Sequence, residues 1–234
     1  MLLTIALGIG AVLFYRRGHP DTASAGSTVT PNNSQPKDAA TEMRAKAERG
    51  DPAEQFNLAV MYAKGQGMPK DDAQAQKWYR KAAEGGHAEA QFAMGFTYNF
   101  GGNVPKDAAE AVKWYRKAAE QGHVEAQYWL SNVYDQGGHG VPEDAAEGAK
   151  WLRMAAENGD HLAQSTLAFR YQIGQGVPVD HVQAYKWMLL SSAQGTVEER
   201  KRCESFASRL TPEQRAEGRW MAGEMKSIKT PAAR

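Results

Sequence analysis

Cysteine is nearly absent: Cys203 is the single thiol in 234 residues. That excludes an internal disulfide framework. An excess of either charge is also missing. Lys and Arg number 28 and Asp and Glu 27, a net charge of +1. Such a chain exerts no bulk electrostatic attraction on nucleic acid. A phosphate-binding loop is lacking too. The glycine pairs Gly65/Gly67 and Gly174/Gly176 are not followed by Gly-Lys-Ser/Thr and follow no strand, so they read as turns between helices. Ser34-Gln-Pro-Lys37 has the Ser-x-x-Lys form of penicillin-interactive enzymes without a Ser-Asp-Asn or Lys-Thr-Gly partner, so chance accounts for it. Cys203 has no histidine near it in sequence and reads as a small apolar residue on a capping helix.

Residues 1–15 are apolar and carry no charged side chain, and Arg16 and Arg17 follow at once. As a helix this run is about 22 Å long against about 30 Å for a bilayer core. Three readings stay open: an uncleaved anchor over 1–17, a signal peptide cut after Ala23-Ser24-Ala25, or a mis-set start. The paired arginines favour an anchor with the rest of the chain in the cytoplasm. Residues 18–37 hold three prolines and few large apolar side chains, and read as a flexible linker.

What is present in abundance is repetition. Glycines recur at Gly50, Gly86, Gly122, Gly159 and Gly195, spaced 36, 36, 37 and 36. Tyr62, Tyr98, Tyr134 and Tyr171 follow the first four glycines by twelve residues, and Trp78, Trp114, Trp151 and Trp187 complete the frame. A period of this length means stacked supersecondary units. The one extra residue falls in the turn Gly137–Gly140, where a repeat tolerates it. Within a unit, Ala90, Met94 and Tyr98, then Ala111, Trp114 and Ala118, recur at spacings of three and four, predicting two amphipathic helices. Glycines stop the first helix, and Asp107 caps the second. One such antiparallel pair cannot bury its apolar face alone, so neighbours must stack.

Four units are expected over 50–194, preceded by a cap helix over 38–49 in which Glu42 stands at the tryptophan position. Beyond Gly195, Thr196 with Glu199 and Thr211 with Gln214 are capping-box signatures for two closing helices within 195–234. Trp220 and Met221 are expected to cover the end of the stack.

The frame A-Q-x-x-L-G-x-x-Y, G-x-G-V-P-x-D, A-x-K-W-Y-x-K-A-A-E-x-G-H is similar to Sel-1-like repeats, relatives of the tetratricopeptide repeat. It stands here as AQFAMGFTY, AQYWLSNVY and AQSTLAFRY, with turns GQGMPKD, GHGVPED and GQGVPVD and runs AQKWYRKAAEGGH and AVKWYRKAAEQGH. Asn103 at a turn glycine, Leu152 and Met188 at the second aromatic position, and Glu54 at an alanine position depart from it. The resemblance implies an all-α, right-handed α-solenoid of stacked antiparallel helix pairs. It implies a non-catalytic scaffold or adaptor for other proteins, often at membranes or in the bacterial envelope.

Counting from each repeat glycine at 100° per residue, offsets +4, +8, +11 and +12 form the core face of the first helix. The opposite arc holds Phe56, Phe92, Phe96, Asn99, Phe100, Tyr128, Trp129, Asn132, Asp135, Phe169 and Gln172. By analogy with tetratricopeptide repeats this arc lines a concave groove, and a protein or peptide partner docks there with Trp129 and Phe96 central. Phe56, Phe92 and Tyr128 are equally well read as packing between units. His87 and His123 share a repeat position about 10 Å apart, too far to share one ion. Hence no metal, cofactor, nucleic acid or small-molecule substrate is expected, and the membrane is met through the N-terminal segment. The alternative is a secreted or periplasmic protein with an envelope or β-lactam-interacting, enzyme-like activity.

Overall fold

The computed structural model describes residues 36–101, 104–138 and 140–229. The anchor segment 1–17, most of the linker 18–37 and residues 230–234 lie outside them, as do Ser34 and the turn residues Asn103 and His139. Among the described residues there are eleven helices, and none is long and apolar enough to cross a membrane. They are α1 (Pro36–Glu48), α2 (Pro52–Lys64), α3 (Asp72–Glu84), α4 (Ala88–Phe100), α5 (Ala108–Glu120), α6 (Val124–Gln136), α7 (Ala145–Glu157), α8 (His161–Ile173), α9 (His181–Gln194), α10 (Val197–Ala207) and α11 (Pro212–Lys229). Helix α1 starts inside the stretch read as linker.

The repeat glycine is fixed by backbone geometry. Gly50, Gly86, Gly122 and Gly159 have φ between +85° and +97°, the left-handed region that favours glycine. At Gly86 the chain leaves α3 with Gly86 N–H donating to Ala83 and His87 N–H to Ala82, satisfying carbonyls of the last turn. The next helix then starts on an acceptor side chain. Asp51 and Asp160 cap α2 and α8, and His87 does the same for α4 through Nδ1. Every second helix is capped by an aspartate: Asp71, Asp107, Asp144 and Asp180. Both capping boxes form, with Thr196 N–H on Glu199 at 2.6 Å and Thr211 N–H on Gln214 at 3.0 Å.

The chain divides into two compact units, one ending at His123 and the other beginning at Val124. In the N-terminal unit the core is Leu58, Ala59, Tyr62, Trp78, Tyr79, Met94 and Trp114 with small alanines between them. Gly95 lets α4 approach α5: a Cβ there would lie 2.5 Å from the Tyr115 ring. In the C-terminal unit Leu152, Leu167, Tyr171, Tyr185, Trp187, Leu190 and Phe206 form the core.

Two polar contacts recur where one helix pair meets the next. The buried Gln55, Gln91 and Gln164 each donate Nε2 at 3.1 Å to a carbonyl near the end of the preceding helix, those of Ala47, Ala83 and Ala156. Arg80 and Arg153 donate to the hydroxyls of Tyr98 and Tyr171 at 3.1 and 2.7 Å, and Arg44 does likewise to Tyr62. Each bond ties a helix to the first helix of the following pair.

At the C-terminal end the expectation for Trp220 is corrected. Trp220 is 64% exposed. The face of α11 turned inward carries Gly218 and Ala222, which are buried, and Met221 and Met225, which are half-buried. A side chain at 218 would meet the Tyr185 ring at 2.8 Å, so α11 sits too close for a bulky residue there. Trp220 stands at the edge of that face, lining a cavity with Gln183 and Lys186 of α9 and with Met221 and Met225.

Candidate functional site

The arc of residues proposed from the sequence separates into three environments. On α4, Phe92, Phe96 and Phe100 form a row at helical spacing. Phe92 stacks on His123 at 4.7 Å and tilts onto Tyr115 at 5.8 Å, and Phe96 leans on Phe100 at 4.4 Å. Phe92 and Phe96 are 4% and 7% exposed, whereas Phe100 is 42% exposed. Phe96 is therefore a packing residue and not an open anchor. Its neighbours Phe92 and Phe100 cover it, which a helical wheel cannot show. Phe56 repeats the Phe92 geometry one unit earlier, stacked on His87 at 4.4 Å with its edge to Tyr79 at 5.6 Å. The reading of Phe56 and Phe92 as inter-repeat packing is the one that fits. Asn99 is half-buried beside them.

On α6, Tyr128 and Trp129 are half-buried and meet edge to face at 5.8 Å. Asn132 returns its side-chain amide to the Tyr128 carbonyl at 3.1 Å. Asp135 turns inward. Its carboxylate pairs with Arg170, a residue only 2% exposed, and Arg170 also donates to Ser131 Oγ at 3.2 Å. Burial raises the Asp135 carboxyl above its ordinary range, opposed by the Arg170 charge. Asp135 is thus an internal counter-ion and is not offered to a partner.

On α8, Phe169 is 55% exposed and Gln172 is half-buried. Both line a cavity of about 580 Å³ whose other walls include Met188 of α9, Phe206 of α10, and Arg202 and Arg209. The floor is apolar and the rim carries charge. Glu199, also on the wall, is engaged already: its Oε1 lies 3.2 Å from His161 Nε2 and its Oε2 accepts the Thr196 N–H. Although burial opposes it, the Thr196 N–H and the charges of His161 and Arg202 hold the Glu199 carboxyl below its usual range. The Arg209 guanidinium rests over the Phe206 ring at 5.4 Å. Ser165, Ser191 and Ser205 add hydroxyls to the same cavity.

Cys203 is buried and its thiol is pushed up by that burial, the reverse of what a nucleophile needs. Among the described residues no group of three or more His, Cys, Asp or Glu side chains is placed to hold a metal ion. His123 is instead 3.1 Å from Glu89, and His161 lies 3.2 Å from Glu199.

Periodicity located the α8 residues of this cavity but not its opposite wall. Met188, Phe206, Arg202 and Arg209 lie outside the first helices to which the offset count applied. Arg170 was visible as the one charged residue at an offset held by Met61, Thr97 and Val133 in the other units.

The model of the Sel1 repeat matches four times in succession, over residues 55–87, 88–123, 124–160 and 161–196. The chain belongs to the Sel1 repeat family. Among solved structures it is similar to a Sel1 repeat protein from Oxalobacter formigenes, at 32% identity and a TM-score of 0.65, covering 81% of this chain and 80% of that one. It is also similar to c5321, a protective antigen present in uropathogenic Escherichia coli strains, at 26% identity and a TM-score of 0.47, covering 97% of this chain and 56% of that one. The immunity protein Pa5087 from Pseudomonas aeruginosa shares 20% identity at a TM-score of 0.41, covering 86% of this chain and 85% of that one. A search of curated proteins finds no match. The all-α Sel1 repeat fold follows from the family match and from the likeness to the Oxalobacter formigenes structure.

Proposed function

We propose that this Sel1 repeat chain is a non-catalytic protein-interaction scaffold, and that a partner segment binds in the α8–α9–α10 cavity of its C-terminal unit. The observation behind this reading is the exposed Phe169 ring at the edge of a cavity floored by Met188 and the buried Phe206. Exposed aromatics beside a desolvated floor are the usual anchors of an interface. Gln172 turns its Nε2 to Met188 Sδ at 3.7 Å, which leaves its carbonyl oxygen to accept from a main chain. Phe100 on α4 and Trp129 on α6 remain secondary contact points, one to each unit. The reading extends to a bacterial membrane tether through residues 1–17, with the repeats on the cytoplasmic side.

A photo-crosslinking residue placed at 169 should give a discrete partner adduct in cells, and one placed at the exposed Met154 should not. Phe169→Ala should weaken capture of that partner at least tenfold, about 1.4 kcal/mol. Equal adducts from both positions, or capture unaffected by Phe169→Ala, would remove the cavity from the function. For the tether, a reporter fused after Arg234 should be active in its cytoplasmic form. Periplasmic activity would overturn that orientation.

A further inference from the structure

We infer that the occupant of the α8–α9–α10 cavity is an acidic peptide segment: one large apolar side chain seated against Phe169 and Met188, and two flanking carboxylates, one on Arg202 and one on Arg209. This rests on the cavity being the binding site.

Three features select that chemistry. The first is charge. The cavity wall carries Arg202, Arg209 and Glu199 as its ionisable groups. Glu199 accepts the Thr196 N–H on Oε2 and has Oε1 3.2 Å from His161 Nε2, so both its oxygens are occupied, and two guanidinium groups face a single carboxylate. Arg202 and Arg209 are exposed, and although the Arg202 charge acts on Glu199, neither guanidinium is in direct salt-bridge contact among the described residues. The rim left for a ligand is positive.

The second is spacing. Arg202 lies on α10 and Arg209 in the turn just past its end, and both stand on the wall of the same cavity. An extended chain advances about 3.3 Å per residue and its side chains alternate faces, so carboxylates four residues apart point the same way about 13 Å apart, a span that two long arginine side chains can meet. The residues between them then lie opposite Phe206 and Met188, where an apolar side chain is wanted. The third is preorganisation. Arg209 rests on the buried Phe206 ring, which limits the conformational freedom lost when it binds a carboxylate. Guanidinium groups bind carboxylates through two parallel hydrogen bonds, so each contact is directional as well as charged.

The test uses the full chain and synthetic extended peptides of about nine residues carrying a central Leu or Phe, with two Glu or two Lys placed two residues to either side of it, so that all three side chains share one face. Binding is read by fluorescence anisotropy. The Glu peptides should bind at least tenfold tighter than the Lys peptides, and Arg202→Glu with Arg209→Glu should reverse the order. On the unmodified chain, affinity for the Glu peptides should fall severalfold between about 50 and about 500 mM salt. Phe169→Ala should abolish capture of both sets. Capture that depends on Phe169 but shows no preference for Glu, or no response to salt and to the double reversal, overturns the acidic occupant and leaves the cavity as a binding site. Absence of capture, or capture indifferent to Phe169→Ala, overturns both.

Discussion

Arg170 and Asp135 form an ion pair inside the C-terminal unit, with the arginine 2% exposed and its second contact on Ser131 Oγ at 3.2 Å. The pair explains a glycine that the repeat would not otherwise choose. Gly148 stands where the other units have Ala75, Ala111 and Ala184. A Cβ at 148 would lie 2.8 Å from Asp135 Oδ1 and 3.0 Å from the Ser131 carbonyl. The alanine methyl has been removed to make room for the carboxylate.

Removing one partner leaves the other charge buried. Asp135→Ala should therefore cost about 3–5 kcal/mol in denaturant unfolding, while Arg170→Met combined with Asp135→Ala should recover most of that loss. A double variant no more stable than Asp135→Ala alone would show that the guanidinium packs there for reasons other than its charge.

Gly148→Ala should cost about 1–3 kcal/mol by overpacking. The cost should shrink in the Asp135→Ala background, because the oxygen it meets is gone. Strict additivity of the two changes would contradict the contact.

Much of this fold is legible in the sequence, for a definite reason. Repetition samples the same helix pair four times, so Ala90, Tyr98 and Trp114 declare their positions by recurrence. Positive φ at Gly50, Gly86, Gly122 and Gly159 makes the period itself a backbone requirement, while Gly195, where the closing helices begin, is extended. The candidate site was less legible. A helical wheel gives the direction in which Phe96 points from its own axis, but not that Phe92 and Phe100 close over it. The count also stopped at the first helices, so Arg202 and Arg209 of the closing segment went unseen. Trp220 and Met221 show the reverse case: both are expected to cover the end of the stack, yet the close approach at Gly218 turns Met221 inward and leaves Trp220 exposed.

Trp114 is 8% exposed in the N-terminal core, with Lys117 Nζ 4.5 Å above its ring. Trp114→Ala should cost about 3–5 kcal/mol. The check is a thermal melt followed by circular dichroism. A shift of under about two degrees would mean the ring contributes no burial, since even 1 kcal/mol moves a domain of this size by more.

Gln164 is 4% exposed and donates to the Ala156 carbonyl at 3.1 Å. Gln164→Leu keeps the volume and loses the bond, at about 1–3 kcal/mol. Gln164→Glu should cost more near neutral pH, since a buried carboxylate would replace the donor. The gap between the two variants should narrow in acid as the glutamate takes a proton. Equal stability of the two at neutral pH would show that the amide is not the tie between α7 and α8.

His87 caps α4 by accepting the Ala90 N–H on Nδ1 at 3.3 Å, a role open only to the neutral ring. Burial lowers its pKa below the ordinary 6.5, and the nearby His123 adds to this, while Glu89 and Asp51 oppose it. A folded-state pKa below the unfolded value means the unfolded chain binds more protons in this range. The stability due to His87 is therefore complete above about 6.5 and falls as the pH drops through the folded pKa. Asp51 and Asp160 do the same capping in other units, and aspartate stays ionised to about pH 5. His87→Asp should thus be close to the wild type near pH 7.5 and more stable than it near pH 5, by about 0.5–2 kcal/mol, the worth of one cap. Melting temperatures of the two chains across that range give the difference directly. Every other titratable group is common to both chains, so only the divergence between the curves reports on position 87. Parallel curves would show that protonation leaves the α4 cap intact.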